Sequence, residues 1–267
     1  MPKMKIRLPR WKKDNPNSDR IISFTGGLGA QIFSYSIYYA LKDDPKIFGD
    51  LSYFKIPTKI AEENTAELSH WDWELSKYGV QKSSIRQKHT DSKQDIHYTD
   101  HYKKHETAIN LLHTNKEIFT NFLPIPVDIQ NKCLQITNNE YICTHLRRGD
   151  YLNVAELVYS EEEFIQTLKK TKDFLKEIII ISDSRPSKQF ETFVSETYQN
   201  HRFIIGGDLH VAHALMRQAK ILICSNSQFS LSAALLNKED GLIFAPTKWH
   251  PNRWEYIDNI CSFQIIR

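Results

Sequence analysis

The sequence EIIII at Glu177–Ile181 decides the fold that we predict for this chain. Four consecutive isoleucines leave no polar face, which is typical of a central strand in a parallel sheet that is buried on both sides. A helical pattern over Ser160–Phe174 precedes the run, and Ser160 and Glu163 have the spacing of a capping box. A second helical pattern follows over residues 188–198. A strand between two helices predicts an α/β fold with a parallel sheet.

The same alternation continues on both sides of this run. Short segments rich in apolar and β-branched residues predict further strands at Tyr141–His145, Arg202–Ile205, Lys220–Cys224 and Leu242–Ala245. Helical spacing between them predicts helices over residues 208–217 and 228–236. The C-terminal half of the chain is therefore expected to form a doubly wound parallel sheet.

A shorter unit of the same kind is predicted near the start of the chain. The strand Arg20–Phe24 runs into the glycine turn Gly26–Gly29, and a helix is expected over Ala30–Lys42. Strand, glycine turn and helix in this order open many nucleotide-binding α/β folds. Gly27 and Gly29 would let the backbone approach a ligand closely, although the full GxGxxG pattern is absent.

Two α/β lobes are therefore expected, residues 1–136 and 137–267, with a boundary near Gln135–Asn139. Residues 55–130 lack a regular pattern and are predicted to form helices and loops. Parallel sheets of this type bind ligands at the carboxyl ends of their strands. The motifs with the strongest chemical character all follow predicted strands.

Composition and charge exclude several classes of protein. The chain has 267 residues with 40% hydrophobic residues, no apolar run as long as a membrane span, and no N-terminal apolar segment of the kind found in signal peptides. Its four cysteines form no CxxC pair, which favours a reducing compartment, so we expect a cytoplasmic protein. The net charge of +3 is too small to predict nucleic-acid binding.

The basic residues are concentrated at the N-terminus. Residues 1–20 carry seven Lys and Arg against two Asp, a local net charge of +5. Two interpretations are open. The segment is either a basic arm that contacts anionic lipid at the inner face of the membrane or a solvated chain terminus.

The sequence His145–Asp150, HLRRGD, follows directly on a predicted buried strand. Two adjacent arginines at the edge of a core are explained if Arg147 and Arg148 meet an anion, because the guanidinium group offers a planar fork of donors that matches phosphate. The alternative is a structural cluster of salt bridges in which Asp150 is the partner. The residues of this motif do not decide between the two.

Two further strand ends carry polar side chains. Asp183 follows the isoleucine strand and would either accept hydrogen bonds from a guanine edge or cap the next helix. A polar loop follows the strand 220–224 and precedes a predicted helix. It offers a cradle for phosphate or a capping loop, and its residues are Ser225, Asn226, Ser227 and Gln228.

A metal site is not predicted. His97, His101 and His105 are four residues apart and could share one helix face, but a solvated polar helix explains them better than a metal site does. No two aspartates are two residues apart, so the DxD pattern that would hold Mg²⁺ or Mn²⁺ on a diphosphate is absent. Arginine can supply the positive charge instead.

The order of the motifs resembles the bacterial α-1,2-fucosyltransferases, glycosyltransferase family 11. The matching stretches lie within residues 21–50 and 140–250; they are GGLGAQIFSYSIYYAL, HLRRGDY, SDS, HALMRQAKILICSNSQFSLSAALLN and APTKWH. HLRRGD is similar to the HxRRxD signature that α-1,2 and α-1,6 fucosyltransferases share. The chain departs from the family at Ala30, where an Asn is usual, at Ser184, where a second Asp is common, and at Leu231 and Ser232, where paired tryptophans are common.

The resemblance implies a GT-B-like α/β architecture, in which two Rossmann-type lobes with parallel sheets face a cleft. The second lobe would bind GDP-fucose and the first the glycan acceptor, and fucose would be transferred with inversion and without a metal or other cofactor. The expected acceptor is O2 of galactose in a surface glycan or O-antigen precursor, as in polysaccharide biosynthesis.

The resemblance also implies roles for individual residues. Arg147 would contact the β-phosphate with support from Arg148. His145 and Asp183 would contact guanine. The diphosphate would contact Ser227 and Gln228.

Several alternatives remain open. Asp50, at the end of a predicted strand, is a candidate for the catalytic base, and a turn residue is the alternative explanation for it. The chain could also use another nucleotide sugar. A non-catalytic protein that binds sugar nucleotides would share the same donor motifs.

Overall fold

The computed structural model describes residues 19–55, 72–88, 96–98, 101–149, 159–237, 241–246 and 264–266. Parallel strands form two separate sheets, and the chain divides into two units, Met1–Pro124 and Ile125–Arg267. Of the basic residues in the N-terminal segment, those within positions 1–18 lie outside the described residues. No helix of the described residues is long and apolar enough to cross a membrane.

The first unit is built on three parallel strands in the order β2-β1-β3. The strands are β1 Arg20–Ser23, β2 Ile47–Asp50 and β3 Ile96–Tyr98. The helices are α1 Leu28–Leu41, α2 His101–Thr114 and α3 Lys116–Phe122, and short 3₁₀ helices occupy Ser52–Lys55, Glu74–Tyr78 and Lys82–Ser84.

Helix α1 is the centre of this unit. Twelve of its fourteen residues are buried, and α1 contacts both β1 and α2. The helix begins two residues earlier than the sequence predicts, because Gly27 has the extended backbone of a cap residue (φ −76°, ψ −173°) and accepts the first helical hydrogen bond from the Gln31 amide. Strand, glycine turn and helix are therefore confirmed.

The second unit is a six-stranded parallel sheet in the order β6-β5-β4-β7-β8-β9. Its strands are β4 Ile142–Leu146, β5 Glu177–Ser182, β6 Asn200–Ile205, β7 Ile221–Ile223, β8 Leu242–Pro246 and β9 Gln264–Ile266. Its helices are α4 Val127–Ile136, α5 Glu161–Thr171, α6 Lys188–Thr197, α7 Leu209–Gln218 and α8 Gln228–Leu235. Numbered from β4, the order is the 3-2-1-4-5-6 arrangement of the Rossmann fold.

The isoleucine strand β5 is buried on both faces, as predicted. Ile178 and Ile180 point into one core with residues of α5 and α6, whereas Ile179 and Ile181 point into another with residues of α4, α7 and α8. The expected α/β fold with parallel sheets is confirmed. The capping box at Ser160 is also present, since its hydroxyl accepts from the Glu163 amide and the Glu163 carboxylate accepts from the Ser160 amide.

The observed boundary between the units differs from the expected one. Helix α4 belongs to the second unit, because Ile129 and Cys133 pack in the same core as Tyr141 and Leu215. The sequence indicates a later boundary because its regular alternation of strands and helices begins only at Tyr141. The functional assignment of each unit stays a prediction.

The three histidines at four-residue spacing do not share a helix. His97 lies on β3, and the helix that contains His105 begins at His101. A spacing of four brings side chains to one face only within a continuous helix, and here a strand ends between the first two.

The two-sided burial of the second sheet leads to a stability prediction. Phe190 on α6 is fully buried in the core formed with β5, whereas the side chain of Phe174, beyond α5, is 64% exposed. Phe190→Ala should lower the free energy of unfolding by about 3–5 kcal/mol through lost burial and the cavity it leaves. Phe174→Ala is the matched control and should change it by less than about 0.5 kcal/mol. Denaturant unfolding measures both, and equal effects would contradict the described core.

Candidate functional site

The candidate site of the second unit lies where the strand order reverses. Strands β4 and β7 are neighbours, but the loops that follow them lead to opposite directions along the sheet, which leaves a crevice at their carboxyl ends. A side chain from each strand end bridges this point, since the Ser225 hydroxyl lies 2.8 Å from Nδ1 of His145. Sequence analysis predicted both residues as part of the site, and the structure brings them together.

His145 is a buried, neutral imidazole. Its ring packs edge-on against Phe229, with 5.6 Å between the ring centroids. Burial and, next, the positive charge of Arg147 lower its pKa from 6.5 to about 3, while Asp183 acts in the opposite direction. A neutral imidazole has one donor and one acceptor, and Ser225 engages one of the two ring nitrogens.

The carboxylate of Asp183 organises the turn that follows β4. One oxygen lies 2.7 Å from Nη1 of Arg147, and the other accepts hydrogen bonds from the backbone amides of Arg148 and Gly149, each at 2.9 Å. A Cβ atom at Gly149 would lie only 2.7 Å from this carboxylate, so the contact requires glycine. The side chain of Arg147 remains 21% exposed and is therefore a fixed cation that a ligand can reach.

The two arginines of HLRRGD have different partners. Arg148 forms an ion pair with Glu161 at the start of α5, and Glu161 also accepts a hydrogen bond from the backbone amide of Ser187 at 2.9 Å. Arg148 thus joins the turn to the first residues of α5 and α6. The partner expected from the sequence, Asp150, lies outside the described residues.

The polar loop after β7 is buried and largely self-bonded. Ser225, Asn226 and Ser227 are all buried. The Ser227 hydroxyl caps α8 by accepting from the Phe229 amide at 3.3 Å, and the Ser225 carbonyl accepts from the Ser230 hydroxyl at 3.1 Å. These bonds fix the loop at the N-terminus of α8, where Gln228 is the first helical residue. The capping role is present, and the N-terminus of α8 closely follows the carboxyl end of β7.

A second buried histidine lies behind the first. Nε2 of His213, on α7, is 3.1 Å from the Ser232 hydroxyl, and the His213 ring packs 5.4 Å from that of Phe229. Burial and the charge of Arg217 lower the pKa of His213 well below its usual value. Sequence analysis missed His213 and Arg217. Their four-residue spacing in a predicted helix was the available signal, because polar residues at that spacing share one face.

The remaining predicted site residues lie in the first unit. Gly27 is the cap residue of α1, Gly29 is buried within that helix, and the positive φ of the turn belongs to Gly26 (+73°). Asp50 ends β2, and its Oδ1 accepts a hydrogen bond from the Ser52 amide at 2.9 Å. This bond supports the turn interpretation of Asp50. Among the described residues, no three His, Cys, Asp or Glu side chains group as a metal site.

Comparisons with known proteins identify the family of this chain. The family model "Glycosyl transferase family 11" matches residues 50–260. The chain is 29% identical over 147 residues to an α-1,2-colitosyltransferase of Escherichia coli, which is 50% of this chain and 49% of the relative. The chain thus aligns with about half the length of this curated relative.

Two solved structures are similar to the chain. The crystal structure of POFUT1 in complex with GDP matches 86% of this chain and 97% of its own, with a TM-score of 0.51 and 9% identity. The fucosyltransferase NodZ from Bradyrhizobium matches 84% of this chain and 93% of its own, with a TM-score of 0.43 and 10% identity. The similarity to POFUT1 confirms the expected GT-B-like α/β fold class.

The buried His145 predicts a pH-dependent stability. Because its pKa is about 3 in the folded chain and its ordinary value is 6.5, the unfolded chain binds the proton first. The contribution to stability is therefore complete above pH 6.5 and is lost as the pH falls towards 3. Between pH 7 and pH 5, His145→Gln should lose about 2 kcal/mol less unfolding free energy than the wild type. Denaturant titration at both values measures this, and parallel losses would contradict a neutral buried imidazole.

Proposed function

The chain belongs to glycosyltransferase family 11, and we propose that it transfers fucose from GDP-fucose to a sugar hydroxyl with inversion at the anomeric carbon. The proposed acceptor is O2 of galactose in a surface glycan or O-antigen precursor. The α-1,2 linkage in the name of the Escherichia coli relative supports this choice of hydroxyl. Family membership supports a sugar donor and a glycan acceptor as the two substrates.

The observation that carries the proposal is the anchored guanidinium of Arg147. It lies at the carboxyl edge of a Rossmann-ordered sheet, held by Asp183 and partly exposed. As the bond from the anomeric carbon to the diphosphate breaks, the electron pair moves onto the β-phosphate oxygen. A preorganised cation stabilises this charge better in the transition state than in the bound substrate.

The second half of the reaction forms the new glycosidic bond. The acceptor oxygen attacks the anomeric carbon from the face opposite the departing GDP, and its proton passes to a base. Asp50 remains our candidate for that base, although one of its oxygens already accepts the Ser52 amide. Gly27 and Gly29 would let the backbone approach the donor closely.

The other residues of the second unit bind and orient the donor in this proposal. The neutral His145 would face the guanine, since it can either donate or accept with the ring nitrogen that Ser225 does not engage. Asp183 accepts three hydrogen bonds from the arginine turn, so its main task is to hold Arg147, and a guanine N–H would share its remaining capacity. Arg148 supports the turn through Glu161.

The diphosphate would lie against the polar loop and the N-terminus of α8. Ser225, Asn226, Ser227 and Gln228 lead into this helix start, where the helix dipole favours negative charge. We propose that the transfer needs no metal ion, because Arg147 and this helix terminus supply the positive potential.

A second donor deserves a direct comparison. The Escherichia coli relative is named for colitose, a 3-deoxy form of fucose. The residue roles proposed for the second unit concern the guanine and the diphosphate, and none of them recognises O3 of the sugar. A GDP-linked colitose is therefore the alternative donor at the same site.

Thermal stabilisation by nucleotides tests the proposed donor site. GDP-fucose and GDP, but not UDP-galactose, should raise the melting temperature of the wild type, with or without EDTA, because binding to the folded state stabilises it. Arg147→Ala should lose this increase, and its transfer rate should fall on the order of a hundredfold. Arg185→Ala is the matched control, since the Arg185 side chain is 79% exposed and pairs only with Glu191 among the described contacts.

Four outcomes would overturn or change a part of the proposal. Stabilisation by UDP-galactose would overturn the guanine assignment. Loss of binding in EDTA would overturn metal independence. GDP binding without transfer to any galactoside would favour the non-catalytic alternative, and a higher kcat/KM with GDP-colitose than with GDP-fucose would change the sugar but not the site.

A further inference from the structure

The glycine turn of the first unit is held by a buried glutamine. Gln31 lies in the first turns of α1 with its side chain fully inaccessible to solvent. Its amide nitrogen donates to the carbonyl oxygen of Gly26 at 2.9 Å and to that of Asp72 at 2.8 Å, and its amide oxygen accepts from the backbone amide of Glu74 at 2.9 Å. One side chain thus ties the turn to a segment more than forty residues away.

The segment that Gln31 holds is itself anchored by aromatic packing. The Trp73 ring lies 5.5 Å from that of Phe24, the residue after β1, and 5.4 Å from that of Phe54. The Trp73 indole N–H also donates to the Val80 carbonyl at 2.7 Å. The backbone of Asp72 and Glu74 is therefore bound to Gln31 of α1, and the Trp73 ring packs on Phe24 at the end of β1.

Two more buried polar side chains converge on the same strand end. The Lys104 ammonium donates to the Ser23 carbonyl at 2.7 Å, and the Ser34 hydroxyl donates to the same carbonyl at 3.2 Å. Burial lowers the pKa of Lys104 to about 8. A buried polar group is costly unless it is hydrogen-bonded, so three of them at one strand end indicate a place where backbone geometry matters.

The side chains presented at this edge can bind a sugar. Thr25 and Asp72 are exposed, and each is next in the chain to a packed aromatic residue, Phe24 and Trp73 respectively. A hydroxyl and a carboxylate on a rigid backbone suit the donors and acceptors of a polyhydroxylated ligand. The edge also lies at the carboxyl end of parallel strands, where such sheets bind ligands.

We propose that Gln31 is a positioning residue for the acceptor: it joins the glycine turn and residues 72–74 into one rigid wall that binds the acceptor sugar. The inference rests on the proposed glycosyl transfer. Gln31 itself contacts no substrate. Its amide sets the positions of Thr25 and Asp72, and a displacement of about 1 Å at a reacting hydroxyl can cost on the order of a hundredfold in rate.

Two variants remove the bonds from opposite ends. Gln31→Leu keeps the volume of the side chain and removes all three hydrogen bonds. Of the three hydrogen bonds of Gln31, Glu74→Pro removes only the one that the Glu74 backbone N–H donates. Proline fits at this position because Glu74 is the first residue of a 3₁₀ helix and follows the extended backbone of Trp73. Glu74→Ala keeps that N–H and so separates loss of the carboxylate from loss of the hydrogen bond.

Lys82→Pro is the matched proline control. Lys82 is exposed and also opens a 3₁₀ helix in the first unit, after an extended Gln81. Lys82→Pro also introduces one proline at the start of a 3₁₀ helix, but at a position with no bond to Gln31.

The test compares transfer to a galactoside with hydrolysis of GDP-fucose by water. Gln31→Leu and Glu74→Pro should lower the ratio of transfer to hydrolysis on the order of tenfold or more, because only transfer needs the acceptor wall. Stabilisation by GDP should stay as in the wild type. Glu74→Ala and Lys82→Pro should keep the wild-type ratio.

Each remaining outcome counts against the inference. A merely structural Gln31 would lower transfer and hydrolysis in proportion to the folded fraction and leave their ratio unchanged. If Gln31→Leu does not fold, Glu74→Pro alone decides the test. An unchanged ratio of transfer to hydrolysis in Glu74→Pro overturns the inference, whereas GDP binding and transfer by the wild type would still support the proposed function. Absence of both GDP stabilisation and transfer in the wild type overturns the proposed function and this inference together.

Discussion

The contact between the Asp183 carboxylate and the turn after β4 is the interaction on which the candidate site depends. It positions the cation of Arg147 and supplies the acceptor for two backbone amides, those of Arg148 and Gly149. The contact is available because β4 and β5 are adjacent parallel strands whose carboxyl ends share one edge. Gly149 permits the close approach, since a side chain there would collide with the carboxylate.

Electrostatics divide this edge into a charged rim and a neutral interior. The rim holds Arg147 with Asp183, whereas the buried His145 and His213 have lowered pKa values and carry no charge at neutral pH. A cation at a half-exposed rim attracts a diphosphate, and a neutral imidazole behind it offers hydrogen bonds without the desolvation cost of a second charge. In the proposed donor site, binding and orientation would thus fall to residues at different depths of this sheet edge.

The first unit reaches rigidity by another route. Its sheet has only three strands among the described residues, and its glycine turn is fixed by side chains rather than by neighbouring strands. Gln31 uses every hydrogen-bonding group of its amide, and Trp73 packs between two aromatic rings. A buried amide with all its bonds satisfied specifies one arrangement strongly, because any displacement leaves a polar group unpaired in a dry environment.

The sequence alone determined the fold class, since the isoleucine run of β5 and the alternation around it depend on local periodicity that tertiary contacts did not override. It also determined which residues are chemically suited to the site, because Arg147, His145 and Ser225 lie at or just after the ends of strands that a parallel sheet must bring to one edge. Only the tertiary structure decided which side chains pair with one another. Arg148 pairs with Glu161 and Gln31 binds Asp72, contacts that span 13 and 41 residues. Such pairings are set by how helices and loops pack around the sheet, which local pattern does not encode.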